Sequence, residues 1–247
     1  MNLKSKKNKD NLDSSMTFTQ HLGELRHRVI ISLIAIAAGA AVAFGVYNNL
    51  LSLFLKPLCE VDPHHCQLYI TGPLDGLSIR FNLSLWAGLF LASPVIFWQL
   101  WRFITPGLNP NEKRYSIPFV IFSILLFSLG GAVAVISFPH ALAFLTSIGG
   151  PSLTTLFSPS KYFHLIIFMF IAFGVAFQFP ILLVFLEISG VVTSKSLRQW
   201  RRRAILIITI IAAVITPSSD PFSMLAMGIP MVIFYEMSII IGKLLKK

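Results

Sequence analysis

Six long apolar runs constrain this chain more than any motif does. They cover about residues 29–55, 78–101, 115–138, 162–188, 204–216 and 222–241. Inside a bilayer every backbone N–H and C=O must be paired within the protein, which leaves helices and closed barrels as spanning structures. A barrel strand alternates apolar and polar residues, and these runs do not alternate. They therefore predict an all-α membrane protein with six transmembrane helices. The charge content agrees: 12% of residues are charged, against about 25% in an ordinary soluble domain. A polar tail, residues 1–16, precedes a membrane domain over 17–243, and a short basic tail closes the chain at 244–247. The leading MNLKSKKNKDNLDSSMTFTQ has no apolar core before Val29, so it is read as a cytoplasmic tail rather than a cleavable signal.

The last two runs are short. AILIITIIAAVIT has 13 residues, roughly 20 Å of helix against a bilayer core of about 30 Å. The sixth has 14 residues between Phe222 and Glu236. Two short neighbours imply a locally thinned bilayer. Pro94, Pro118, Pro180 and Pro230 fall inside or near the ends of spans, where each removes a backbone donor and bends its helix. Bent helices predict a kinked, concave bundle.

A formal net charge of +10 raises nucleic acid as a partner, but the distribution assigns the charge to topology. With the N-terminus inside, 17 of the 20 lysines and arginines fall on the cytoplasmic side, leaving Lys56, Arg80 and Lys161 outside. Both termini are then cytoplasmic. Cys59 and Cys66 bracket EVDPHH in the first external loop, where an oxidising compartment favours a disulfide over free thiols. CEVDPHHC lacks the spacing of a zinc site, and no metal or cofactor is expected. Asp75 and Arg80 are placed to pair locally, and Glu187 and Glu236 are read as interfacial acids at cytoplasmic span ends.

The stretch TFTQHLGELRHRVIISL puts a carboxylate, Glu24, among Arg26, His27 and Arg28 just before the first span. Thr17 and Gln20 have capping-box spacing, and Phe18, Leu22, Leu25 and Val29 form one apolar stripe. A short amphipathic helix along the cytoplasmic interface is expected to feed the span. Glu24 and Arg28 are four apart and can pair on one helix, an interaction contributing about 0.3–0.5 kcal/mol at an exposed site. Spacing alone favours that intrahelical reading, and the alternative is that Glu24 receives an arginine from another molecule. In RFITPGLNPNEKRYSIPF, Asn109 and Pro110 are start signals for a helix, and Glu112 lands in its first turn. There the helix dipole favours an acid by about 0.3–1 kcal/mol.

HLGELRHR, SPVIFWQLWRFITPGLNPNEKR, AFGVAFQFP and ITPSSDPFSM together resemble the TatC family, the multispanning receptor subunits of the twin-arginine protein translocase. The resemblance runs over about residues 17–243. It implies that Glu24 and Glu112 bind the paired arginines of a signal peptide, with Arg26, Phe103 and Arg114 beside them. Guanidinium groups favour bidentate carboxylate partners, which fits that role. It also implies docking of single-span TatB and TatA on the fifth and sixth helices, through Thr216, Asp220 and Met224. An assembly of several copies in a bacterial inner membrane, in contact with lipid and driven by the proton gradient, is expected. Gln178 stands where some relatives carry a glutamate in the fourth span, and Met224 where some carry a glutamine. The turn TPSSDPFSM is one residue longer than in some relatives.

Sequence signatures of a serine hydrolase, a zincin or a phosphate-binding loop are missing, so no enzyme activity is expected. A small-solute transporter using Gln178, Arg80 and Asp220 as pathway residues is the rival reading.

Overall fold

A computed structural model describes residues 18–61, 68–70, 72–105, 115–148, 157–216 and 220–244. All regular structure among them is helical: α1 (Phe18–Gly45), α2 (Tyr47–Val61), α3 (Asp75–Ile104), α4 (Ser116–Ile148), α5 (Pro159–Ala176), α6 (Phe179–Ile188), α7 (Ser194–Ile215) and α8 (Pro221–Leu244). Five stretches are long and apolar enough to cross a membrane: Gln20–Gly45, Asp75–Ile104, Ser116–Ile148, Pro159–Ile188 and Pro221–Leu244. The sixth segment, α7, is apolar only after its arginines 201–203. At 22 and 24 residues, α7 and α8 are the two shortest of the six. The fold is that of an all-α, multi-span membrane protein.

The helix boundaries differ from the apolar runs for physical reasons. The expected interfacial helix is not separate, because α1 continues without a break from Phe18 through the span. The first run, in turn, does not span as one helix. It ends at Gly45, and α2 follows as an amphipathic helix with Asn48, Asn49, Ser52, Lys56 and Glu60 exposed. Leu50, Leu51, Phe54 and Leu58 of α2 pack on the core. Such a helix suits the edge of a bilayer rather than its centre. The fourth span is broken between α5 and α6 at Phe177–Gln178. Pro180 cannot donate to the carbonyl four residues back, Ala176, and its ring crowds that oxygen. Beyond α6 the chain reverses at Gly190, whose φ of +72° lies in the left-handed region open to glycine.

Lipid gives helices no hydrophobic reason to associate, so packing and small residues hold the bundle. Gly39 and Gly88 let α1 and α3 meet backbone to backbone; a Cβ on Gly39 would lie 2.7 Å from the Gly88 carbonyl oxygen. Gly130 brings α4 equally close to Phe173 of α5. Between α4, α5 and α8 the core is aromatic and thioether-rich, with Phe138, Tyr162, Met169, Phe173, Phe177, Met227 and Tyr235 buried. Two tyrosine hydroxyls cross-link elements through backbone: Tyr162 donates to Phe54 O and Tyr235 to Leu197 O, each at 2.7 Å. The outer faces keep large apolar side chains exposed, Leu33, Ile34, Val42 and Ile136 among them. That is the surface a bilayer contacts.

The two acids expected at the interface part ways. Glu236 pairs with Arg201 of α7. Glu187 is fully buried under α8, where a Cβ on Gly242 would land on its carboxyl group. Arg80 does not pair with Asp75: its guanidinium lies over the Phe44 ring at 4.2 Å, and Asp75 accepts from the Gly72 N–H at 2.7 Å.

Candidate functional site

Glu24, on the first turns of α1, is the most informative polar group in the molecule. Arg28 donates to its Oε1 through Nε at 3.0 Å and through Nη2. The pair is mostly buried, with side-chain exposures of 13% for Arg28 and 20% for Glu24. Arg28 also reaches across to α3, donating through Nη1 to Gln99 Oε1 at 3.1 Å. The helical spacing of four therefore does produce the intrahelical pair. It does not exhaust the carboxylate: Oε2 of Glu24 is buried and has no hydrogen-bond partner among the described residues. A carboxylate can accept about four hydrogen bonds, and leaving a buried acceptor unpaired costs about 1–3 kcal/mol. The site is a half-occupied carboxylate on α1, held by an arginine that α3 contacts through Gln99.

Around it, Phe103 of α3 stacks on His21 of α1, with ring centroids 4.3 Å apart and planes 19° from parallel. Arg26 points outward and is exposed. The hydroxyls of Thr105, just after α3, and Ser116, at the start of α4, are 2.8 Å apart. That contact joins the two ends of the segment carrying Glu112 and Arg114, which themselves lie outside the described residues. Glu24, Arg28, Gln99, His21 and Phe103 thus form one constellation.

The remaining sequence candidates lie elsewhere. Gln178, in the α5–α6 break, donates through Nε2 to Ser123 O at 3.1 Å, and Trp101 Nε1 donates to Ser123 Oγ at 2.8 Å. These bonds tie the polar centre of α5–α6 and α3 to α4. Thr216 is buried after α7, its hydroxyl donating to Ala212 O at 2.8 Å. Asp220 is buried at the start of α8, accepting from the Ser223 N–H at 2.6 Å. Thr216 thus closes the C-terminal end of α7, and Asp220 caps the N-terminal end of α8. Met224 is half-buried against the core. Arg80, Gln178 and Asp220, the transporter candidates, have different partners among the described residues: Phe44, Ser123 and Ser223. Cys59 is disulfide-bonded; Cys66 lies outside the described residues. No group of three or more metal-ligating side chains comes together among the described residues.

Sequence reasoning missed Gln99 and His21. Gln99 had a visible signal, being an amide in the otherwise apolar stretch VIFWQLW. His21 had none, since its partner is a ring 82 residues away.

Residues 20–230 match the family described as Sec-independent protein translocase protein (TatC). The TatC protein of Aquifex aeolicus is 40% identical over 232 residues, covering 93% of this chain and 95% of that protein. The TatC protein of Frankia casuarinae is 39% identical over 93% of this chain, which spans 66% of that longer protein. A crystal structure of the twin-arginine translocase receptor TatC superposes with a TM-score of 0.74 at 39% identity, over 92% of this chain and all of that one. A second, of the receptor in DDM, gives 0.75 over 90% and 99%. Helix order and sequence lead to one place: the chain belongs to the TatC family of Sec-independent protein translocase proteins.

Proposed function

We propose that the end of the bundle carrying Glu24 recognises the paired arginines of a signal peptide on a folded cargo protein. The observation that carries this reading is the uncommitted Oε2 of Glu24. An incoming guanidinium supplies the missing donors, and Arg28 and Gln99 hold the acid in place while it does so. Glu112 is assigned the second arginine, with Arg26, Phe103 and Arg114 around the peptide. Both termini and this site face the cytoplasm, on the strength of the 17 basic residues on that side. The α7–α8 pair, with Thr216 at the end of α7 and Asp220 and Met224 at the start of α8, is the docking place for TatB and TatA, and several copies assemble. As the family resemblance implies, the proton gradient supplies the energy for export across the inner membrane.

The test is binding of a synthetic twin-arginine peptide to the purified protein at low salt. A charge-assisted hydrogen bond contributes about 1.5–3 kcal/mol, so Glu24→Gln is expected to weaken binding by about 10- to 150-fold. A peptide with two lysines should bind poorly to the parent and lose little more in the variant. Parent-like affinity in Glu24→Gln removes Glu24 from the site.

A further inference from the structure

We propose that the groove between α1 and α3, at the end remote from Glu24, binds an anionic phospholipid: its phosphate rests on Arg80 and an acyl chain lies in the groove. The groove holds about 590 Å³ and is lined by Ala40, Ala41, Phe44, Phe81, Asn82, Ser84 and Leu85. That volume falls within the about 300–1,000 Å³ of small-ligand sites. Its walls are almost wholly apolar, and they lie on two spans, so the groove faces hydrocarbon.

Two polar features interrupt this apolar surface, and both point to a ligand. The first is Ser84, 3% exposed, a residue of the groove wall whose buried Oγ has no hydrogen-bond partner among the described residues. Its neighbour Asn82 is turned to its own helix, donating to Ser78 O at 3.0 Å. The second is Arg80 at the mouth. Its guanidinium lies 4.2 Å from the Phe44 ring centroid and 5.2 Å from that of Tyr47, and donates to Phe44 O at 3.4 Å. The ion pairs among the described residues are Glu24–Arg28 and Glu236–Arg201, so no carboxylate neutralises Arg80 there. The aromatic shelf orients the cation and leaves its outer edge to a ligand.

The spacing selects a phospholipid. Arg80 and Ser84 are four residues apart on α3, about 6 Å along the axis and on the same face. Because α3 enters the membrane at Asp75, Ser84 is the deeper of the two. A phosphate on Arg80 then leaves the glycerol ester oxygens, one step nearer the hydrocarbon, within reach of the Ser84 hydroxyl. Cationic pockets between spanning helices are suited to anionic headgroups. A zwitterionic lipid brings an ammonium to the same cation and gains less.

The experiment is native mass spectrometry of the full chain released from nanodiscs of phosphatidylglycerol, phosphatidylcholine or an equal mixture. The parent is expected to retain phosphatidylglycerol about fivefold or more over phosphatidylcholine. Arg80→Gln should abolish the preference and Arg80→Lys should keep part of it. Ser84→Leu, which fills the groove, should lower retention of both lipids. Equal retention of the two lipids by the parent overturns the proposal, and this needs no variant to fold. An unchanged preference in Arg80→Gln, at a parent-like melting temperature, also overturns it. Displacement of the lipid by millimolar inorganic phosphate would assign the site to a free anion instead.

Discussion

Arg28→Ala separates the two demands made on Glu24. In the parent, Arg28 satisfies one carboxylate oxygen through two N–H groups and fastens α1 to Gln99 of α3. Were the pair exposed, its loss would cost only a few tenths of a kcal/mol. It is 80–87% buried by side chain, so the variant leaves an acid with no partner in a mostly dry place. Removing one partner of a fully buried pair costs about 3–5 kcal/mol; with one fifth of Glu24 still wet, about 1–3 kcal/mol is the expected loss. Two consequences distinguish this account. First, Arg28→Ala combined with Glu24→Gln should be more stable than Arg28→Ala alone, since the orphaned charge is gone. Second, a twin-arginine peptide should raise the melting temperature of Arg28→Ala more than that of the parent, because it supplies the guanidinium the variant lacks. The assay is thermal unfolding in detergent with and without peptide. If the double variant is no more stable than Arg28→Ala, Glu24 is not a buried charge in need of a partner. The reasoning about its free oxygen then fails with it.

Three other outcomes are expected. A non-reducing peptide map should contain Cys59 linked to Cys66, the only other cysteine in the sequence; closing so short a loop contributes roughly 2–3 kcal/mol in the chain-entropy model. Two alkylatable thiols would refute the pairing. A reporter active only outside the cytoplasm should work when fused at Pro63 or Pro151 and fail at Asn109 or Lys195, and activity at Lys195 would refute the orientation. Adding four leucines to the apolar half of α7 lengthens it by about 6 Å. That change should impair export while peptide binding stays at parent level, and normal export would show that bilayer thinning has no part in the mechanism.

Hydropathy made the spans legible because lipid imposes it on every residue of a crossing helix. It could not show where the chain stops crossing. Residues 47–55 carry four leucines and a phenylalanine, yet the polar set Asn48, Asn49, Ser52 and Lys56 all fall on one side, turning α2 into a surface helix. The α5–α6 break was foreshadowed by Pro180, whose consequence is local. Glu187 was misread because an acid near a span end is ordinarily interfacial; its burial depends on Gly242, 55 residues on, which leaves room for the carboxyl group. At the candidate site, the i,i+4 rule identified Glu24 and Arg28 together. What it could not reveal is that Gln99 closes the arginine from a third direction and that one carboxylate oxygen stays open. Those facts come from packing α1 against α3, which no local pattern encodes.

That packing supplies a final prediction. α1 is peripheral: only 6% of its most apolar window is buried, against 50% for α5–α6. It rests chiefly on α3, and the two run antiparallel, crossing where Gly39 meets Gly88. Gly39 and Arg28 are eleven residues apart on α1, as are Gly88 and Gln99 on α3, so the crossing lies about 16 Å from the Arg28–Gln99 bond. Gly88→Val places its side chain onto the backbone of Ala40. Backbone cannot yield as a flexible side chain can, so α1 must retreat. A bond of 3.1 Å does not survive a stretch to 3.6 Å, and Gln99 then releases Arg28. Glu24 and Arg28 stay paired, both being on α1, but the acid is no longer held against α3 for an incoming peptide. Peptide affinity should fall several-fold with a stability loss of about 1–3 kcal/mol. Gly130→Val is the control. Its Cβ collides with Phe173 O in the α4–α5 seam, so it should destabilise as much or more, while the molecules that remain folded bind peptide normally. If Gly88→Val binds as tightly as the parent, the α1–α3 crossing does not position Glu24, and the acid's own helix is enough.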